Sequence, residues 1–159
     1  TFYQVVQLIH QSNGKVVVTG VGKSGIVAMK IAATLSSTGT PSHYLHASDA
    51  THGDLGMVEK KDIVIGISKS GNSQEIKDII PFLKNNGNIV IGMTSKSQSF
   101  LGKQSDHLLY TPVAKEACPN NLAPTTSTTV QMVLGDALAI SLMKLNGFKS
   151  QDFAQIHPS

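Results

Sequence analysis

The stretch from Asp62 to Ile67 is almost continuously apolar and largely β-branched, and it runs directly into Ser68-Lys69-Ser70-Gly71-Asn72-Ser73. A strand that is apolar on both faces needs cover on both faces, the situation of a parallel strand between two helical layers. The residues after the loop supply such cover. Ile76, Ile79, Ile80 and Leu83 keep the i, i+3, i+4, i+7 spacing of a helix with one apolar face, and Gly87 closes it. Strand, polar loop and helix therefore form one unit.

The unit recurs along the chain. Lys15 to Thr19 predicts a strand, followed by Gly20-Val21-Gly22-Lys23-Ser24-Gly25 and a helix to about Ser37, where Gly39 and Pro41 stop it. Ser42 to Leu45, Asn88 to Thr94 and His107 to Thr111 predict further strands, and Val5, Leu8 and Ile9 share a face of an opening helix. A long helix is predicted from about Thr126 to Leu145. Val130, Val133, Leu134, Ala137, Leu138, Ser141, Leu142 and Leu145 form its stripe, with Met132, Ile140 and Met143 off it. A helix apolar on more than one face is expected to be buried twice, in the core and against a second subunit. The alternation argues for one α/β domain over residues 1–159, a doubly wound parallel sheet with ligands bound beyond the strand C-termini.

Composition removes several classes of function. The net charge is +3, but the lysines are scattered with no arginine-rich stripe, which argues against nucleic acid as a partner. Uninterrupted apolar runs fall far short of the ~20 residues that span a bilayer, so no membrane partner is expected. A single cysteine, Cys118, cannot form an internal disulfide and fits a reducing compartment, with the cytoplasm as the default location. The chain opens inside a helical pattern without a Met or a signal-like block, and reads as a piece of a longer protein.

Both polar loops lie at strand ends that open into helices, where freed N–H groups form an anion site and glycines allow close approach. Together they point to a phosphorylated small molecule. Two other readings of Gly20-x-Gly22-x-x-Gly25 stay open: a dinucleotide fingerprint, with Asp49 downstream, and a tight turn without a ligand. Lys23 inside the turn speaks against the pyrophosphate reading. Ser68, Ser70 and Ser73 are phosphate contacts or turn formers. Glu75 is a carboxylate favoured by the helix dipole or an acid/base aimed into the cleft. In Thr125-Thr126-Ser127-Thr128-Thr129 one hydroxyl is expected to cap the long helix and another to face the ligand. Glu116 lies in the loop after the fifth strand, and His52 in a loop after the second. His43 and His46 fall on opposite strand faces, and no closed metal-ligand spacing occurs. Cys118 reads as a small packing residue.

Five stretches, in order, resemble the sugar isomerase (SIS) domain of D-arabinose 5-phosphate isomerases. They are Gly20 to Gly25, His52-Gly53-Asp54-Leu55-Gly56-Met57, Ser68 to Glu75, Lys115-Glu116-Ala117-Cys118-Pro119 and Leu122 to Thr129. Gly135-Asp136-Ala137-Leu138-Ala139, Asp152-Phe153-Ala154 and His157-Pro158 extend the match. The resemblance implies a three-layer αβα sandwich with a five-stranded parallel sheet in flavodoxin-like order. It implies interconversion of D-arabinose 5-phosphate and D-ribulose 5-phosphate through a cis-enediol, feeding synthesis of the eight-carbon acid Kdo, with no cofactor and no metal. The catalytic set it implies is Lys23, His52, Glu75, Glu116 and His157. Gly22, Ser24, Ser68, Ser70, Ser73 and Thr126 would contact sugar or phosphate. It also implies a homotetramer whose active sites are shared, with His157 given by a neighbour. A helical N-terminal extension and a C-terminal pair of cystathionine-β-synthase domains, frequent in the family, would lie outside these residues, leaving His157 near a loosely held end. His46-Ala47-Ser48-Asp49-Ala50 departs from the family's usual His-Pro-x-Glu-Ala. In this scheme Glu116 is expected to be the base at carbon, held near neutral pKa by its loop, and Lys23 to offset enediolate or phosphate charge. The competing reading is a non-catalytic SIS module that senses a sugar phosphate or nucleotide-sugar.

Overall fold

In the computed structural model, which describes residues 1–159, the apolar runs form one five-stranded sheet in the order β2-β1-β3-β4-β5. These strands are β1 (Val16–Gly20), β2 (Ser42–His46), β3 (Ile63–Ile67), β4 (Ile89–Thr94) and β5 (His107–Tyr110). Every pairing is parallel, with Val16 level with both Ser42 and Ile63, and Ile63 level with Ile89. The predicted strands all form, with ends shifted by a residue. Lys15 and Asp62 fall just outside because their groups anchor the entry to the sheet: the Lys15 N–H donates to Asp62 Oδ1 at 3.1 Å.

Period-2 alternation sends successive strand side chains into two cores. Val16, Val18, Ile63, Ile65, Ile67, Ile91 and Met93 face one layer, made by α1 (Phe2–Gln11), α2 (Gly22–Ser37) and α6 (Thr126–Leu145). Val17, Val64 and Val90 face the other, made by α3 (Ala47–Ala50), α4 (Gln74–Asn85) and α5 (Phe100–Gln104). On α4 the buried residues are the four predicted ones, Ile76, Ile79, Ile80 and Leu83. A short α7 (Ser150–Ile156) follows α6.

The core-facing stripe of α6 differs from the expected one. Ser127, Gln131, Gly135, Leu138, Ala139 and Leu142 are buried, whereas Val133 is 63% and Leu145 41% exposed. On a helix that is apolar nearly all round, hydrophobicity does not choose the face; close approach does. An added Cβ on Gly135 would lie 2.3 Å from Ile31 Cδ1, so glycine is what lets α6 lie against α2. The second apolar face stays open, with Ile140 on α6 and Ile26 and Met29 on α2 all more than half exposed. By length and composition α6 could also cross a membrane. In this fold its inner face packs into the α1–α2 layer, and Asp136 Oδ1 pairs with Lys30 Nζ on α2 at 2.6 Å.

Candidate functional site

In a doubly wound sheet the binding crevice opens where the strand order reverses, beyond the carboxyl ends of the strands. The order places that point between β1 and β3, so the loops after Gly20 and after Ile67 border the same crevice. At the first, Gly22 has φ +60 with open space where a Cβ would be. Lys23 and Ser24 follow in the first turn of α2, and the Ser24 hydroxyl donates to Gln131 Oε1 at 3.4 Å. Lys23 also borders a cavity of about 330 Å³ between α2 and α6, lined by Ile26, Pro124, Thr128, Thr129 and Val133 among others.

The serine loop is braced rather than loose. Gly71 has φ +65, and an added Cβ there would meet Ser99 Oγ at 2.0 Å, so the loop turns against the start of α5. Ser68 Oγ accepts the Gly71 N–H at 3.1 Å, Ser70 Oγ accepts the Asn72 N–H, and the Lys69 carbonyl accepts the Thr94 hydroxyl and the Ser95 N–H. Ser68 and Ser70 thus each brace the turn through an accepting oxygen, which leaves the hydroxyl proton free to donate. Ser73 is different: it precedes α4, and its hydroxyl is buried without a partner. Glu75 follows in the first turn of α4 at the same crevice.

The most constrained group is Glu116, 2% exposed in the loop after β5. Its Oε1 lies 2.7 Å from Lys69 Nζ of the serine loop. Its Oε2 accepts the Thr125 N–H at 2.8 Å, the Ser127 N–H at 3.2 Å and the Thr125 hydroxyl at 3.2 Å. Burial by itself would push this carboxyl up. The Lys69 ammonium and the donors at Ser127 and Thr125 outweigh it and hold the group far below the usual carboxylate range. Two expectations are corrected here. Glu116 is not a carboxyl poised near neutrality, because the expectation did not include a cation and a helix N-terminus on the same group. The cap of α6 is likewise not a hydroxyl of its own: Thr125 stands at the N-cap without a side-chain cap bond, and the Glu116 carboxylate takes the orphan N–H groups instead. Thr126, half-buried, sits between these two donors.

The remaining predicted residues fall in two places. His52 is exposed on the turn after α3, following β2, and makes no ion pair; neither do Lys23 and Glu75. His157 does not join them within one chain. α6 starts beside Glu116 and carries the chain about 30 Å away over its 20 residues. Phe148 then packs on Gly39, at the turn leading into β2, which is the opposite end of the sheet. The contacts of His157 lie within α7 itself: the ring stacks on Phe153 at 3.6 Å and Nδ1 lies 2.7 Å from the Phe153 carbonyl oxygen, while no residue of α7 is buried. The sequence places Lys69 in the serine loop and Thr125 and Ser127 in the run before α6, but it does not show that they meet Glu116, and it gives no sign of Gln131. Lys69 and Glu116 lie far apart in sequence, and no local spacing announces such a pair.

These features define a class: a doubly wound α/β domain with a glycine loop and a serine loop at its switch point. Residues 8–141 match the SIS domain family model, and the chain belongs to the SIS domain family. It is 50% identical over 157 residues to arabinose 5-phosphate isomerase KdsD of Pseudomonas aeruginosa, covering 99% of this chain and 48% of that protein. It is 51% identical to KdsD of Yersinia pestis over the same length, again covering 99% and 48%. The chain thus spans about half the length of the curated relatives it matches. Among solved structures it superposes with a TM-score of 0.97 on the c3406 protein of Escherichia coli CFT073 in complex with arabinose 5-phosphate, at 47% identity, covering 99% of this chain and 84% of that one.

Proposed function

We propose that this chain is the catalytic domain of an arabinose 5-phosphate isomerase, interconverting D-arabinose 5-phosphate and D-ribulose 5-phosphate. The observation that carries the reading is the pairing of a phosphate-type serine loop, with the unpartnered Ser73 hydroxyl, and unpaired acid/base side chains around one crevice. The relatives of that name, about half of whose length this chain spans, and the likeness to a protein in complex with arabinose 5-phosphate support it. The aldose, D-arabinose 5-phosphate, would feed synthesis of the eight-carbon acid Kdo, as the family resemblance implies.

Aldose–ketose exchange moves a proton from C2 to C1 while the oxygens exchange theirs, through a cis-enediol. With Glu116 held as a paired anion, Glu75 is the carboxylate left to take the C2 proton and return it to C1. Lys23 offsets charge as it develops on the enediolate oxygen, where an ordered cation is most effective. His52 and His157 serve ring opening and proton exchange at oxygen. Ser70, Ser73, Gly22, Ser24 and Thr126 surround the phosphate and the sugar. Because His157 lies at the far end of its own chain, the complete site takes His157 from a second copy in a homotetramer. The open apolar face of α2 and α6, with Ile26, Met29, Val133 and Ile140, is the surface such a neighbour would cover.

The test is ketose formation from D-arabinose 5-phosphate by the purified chain, with chelator present and Lys23→Ala as control. Turnover lost in the control supports the reading. Saturable binding of the sugar phosphate without turnover would overturn it in favour of a sensor module. Mixing inactive Lys23→Ala and His157→Ala variants tests the shared site, because mixed assemblies would regain activity only if the residues come from different copies.

A further inference from the structure

Lys69 is absent from the residue set that the family resemblance supplies, yet its ammonium is the one cation within 4 Å of the buried Glu116 carboxylate. The two are held by different parts of the fold. The backbone of Lys69 is fixed by the end of β4, through its carbonyl bonds from Thr94 and Ser95. Glu116 is fixed by the start of α6 and by Asn121, whose side-chain oxygen accepts the Glu116 N–H at 2.7 Å. The pair therefore ties the serine loop to the segment leading into Thr126. Its two ends are unequal in exposure: the Glu116 side chain is fully buried, whereas that of Lys69 is 40% exposed.

We infer that Lys69 is a positioning residue, which keeps Glu116 as a fixed anion and through it sets the start of α6 against the serine loop. This rests on the isomerase reading for its kinetic consequences only. A buried carboxylate deprived of its cation either takes a proton or is driven toward water, and both loosen its hold on the Thr125 and Ser127 N–H groups. The groups facing Glu116 leave no substitute. The start of α6 offers only neutral donors, the N–H groups of Thr125 and Ser127 and their two hydroxyls, and Asn121 of the same loop as Glu116 meets the Glu116 N–H and not its carboxylate; Lys115, next in sequence, is exposed and pairs with nothing. A shift of the α6 start by about 1 Å is enough to cost about 100-fold in turnover at a preorganised site.

The experiment compares Lys69→Met, Lys69→Arg, Glu116→Gln and the Lys69→Met/Glu116→Gln double variant. Lys69→Met is expected to lower kcat by about 10–100-fold with KM within about threefold, and to add a new acid limb to the pH profile as Glu116 begins to titrate. Lys69→Arg, which keeps a cation for the carboxylate, is expected to restore most of the rate. In the Glu116→Gln background, where no charge is left uncompensated, Lys69→Met is expected to cost little more. That double variant keeps the test decisive if Lys69→Met alone folds poorly. A rise in KM alone, an unchanged pH profile, failure of Lys69→Arg to rescue, or full additivity in the double variant would each overturn the inference. The 13C carboxyl signal of Glu116, followed against pH in the native chain and in Lys69→Met, needs no turnover. An upward displacement in the variant supports the inference even if the native chain proves inactive, so the two readings fail separately; an unmoved signal overturns it.

Discussion

Gly135 on α6 sits so close to α2 that an added Cβ would lie 2.3 Å from Ile31 Cδ1 and 2.4 Å from Ile31 Cγ1. Ile31 is fully buried and cannot swing away. Gly135→Ala therefore sets a gain of about 1 kcal/mol in helix propensity against about 1–3 kcal/mol of overpacking. Overpacking is expected to win by about 1 kcal/mol, read as a lower urea midpoint at unchanged slope. A more stable variant would show that α6 can draw back freely.

One residue further on, the Lys30–Asp136 pair bridges the same two helices at 2.6 Å, with both side chains more than 40% exposed. An exposed pair of this kind contributes about 0–1 kcal/mol. Asp136→Ala is expected to shift the urea midpoint less than Gly135→Ala does, and its effect should shrink further in salt. The glycine of the Gly-Asp-Ala stretch holds the helices together; the aspartate beside it does not.

Much of this arrangement is legible in the sequence. The five strands, the bounds of α6 and the buried face of α4 follow from continuous β-branched runs and regular 3.6 spacing, which are local signals. The inner face of α6 is not legible there, because a helix apolar nearly all round gives periodicity nothing to select, and the choice falls to a contact between Gly135 and Ile31. The site divides the same way. The loops at Gly20 to Gly25 and Ser68 to Ser73 are readable as polar turns at strand ends, where they border one crevice. The state of Glu116 is not, since it depends on Lys69 and on N–H groups brought close only by the order of strands β3, β4 and β5. His157 is legible as a motif, but only the course of α6 and the seat of Phe148 on Gly39 separate it from its own crevice.

Acid stability reports on two buried carboxylates. Asp62, 1% exposed, would be pushed up by burial alone; the Lys15 side chain at 2.5 Å and the Glu59 and Lys15 N–H groups reverse this and lower it from its ordinary 3.8. Glu116 is lowered from its ordinary 4.5. In both cases the unfolded chain takes up protons before the folded one does. Their contribution is thus complete above about pH 5 and is lost as pH falls below 4.5 and 3.8 toward the lower folded values. Each group adds at most about 1.4 kcal/mol per pH unit to the slope of stability in that range. Asp62→Asn and Glu116→Gln are each expected to flatten that slope in urea titrations between pH 3 and 5 (about the range over which carboxylates titrate). A slope unchanged in both variants would mean that neither carboxylate stays ionised in the acid.

Two serines of the phosphate-type loop are expected to part company on mutation. Ser68 Oγ accepts the buried Gly71 N–H at 3.1 Å, so Ser68→Ala leaves a buried donor unsatisfied and should cost about 1–3 kcal/mol of stability. The Ser73 hydroxyl is buried with no partner, so Ser73→Ala removes nothing that holds the fold and should leave stability within about 0.5 kcal/mol, or raise it slightly. In the proposed isomerase, an unpartnered hydroxyl beside the N–H groups of the first turn of α4 would be matched by the phosphate that arrives with the substrate. A hydrogen bond to a charged group is worth about 1.5–3 kcal/mol, or about 10–100-fold in affinity. Ser73→Ala is therefore expected to raise KM for the sugar phosphate by about tenfold or more at unchanged melting temperature, and titration calorimetry with inorganic phosphate should show the same weakening. If Ser73→Ala binds phosphate like the native chain but melts earlier, the hydroxyl serves the turn and the phosphate sits elsewhere in the crevice.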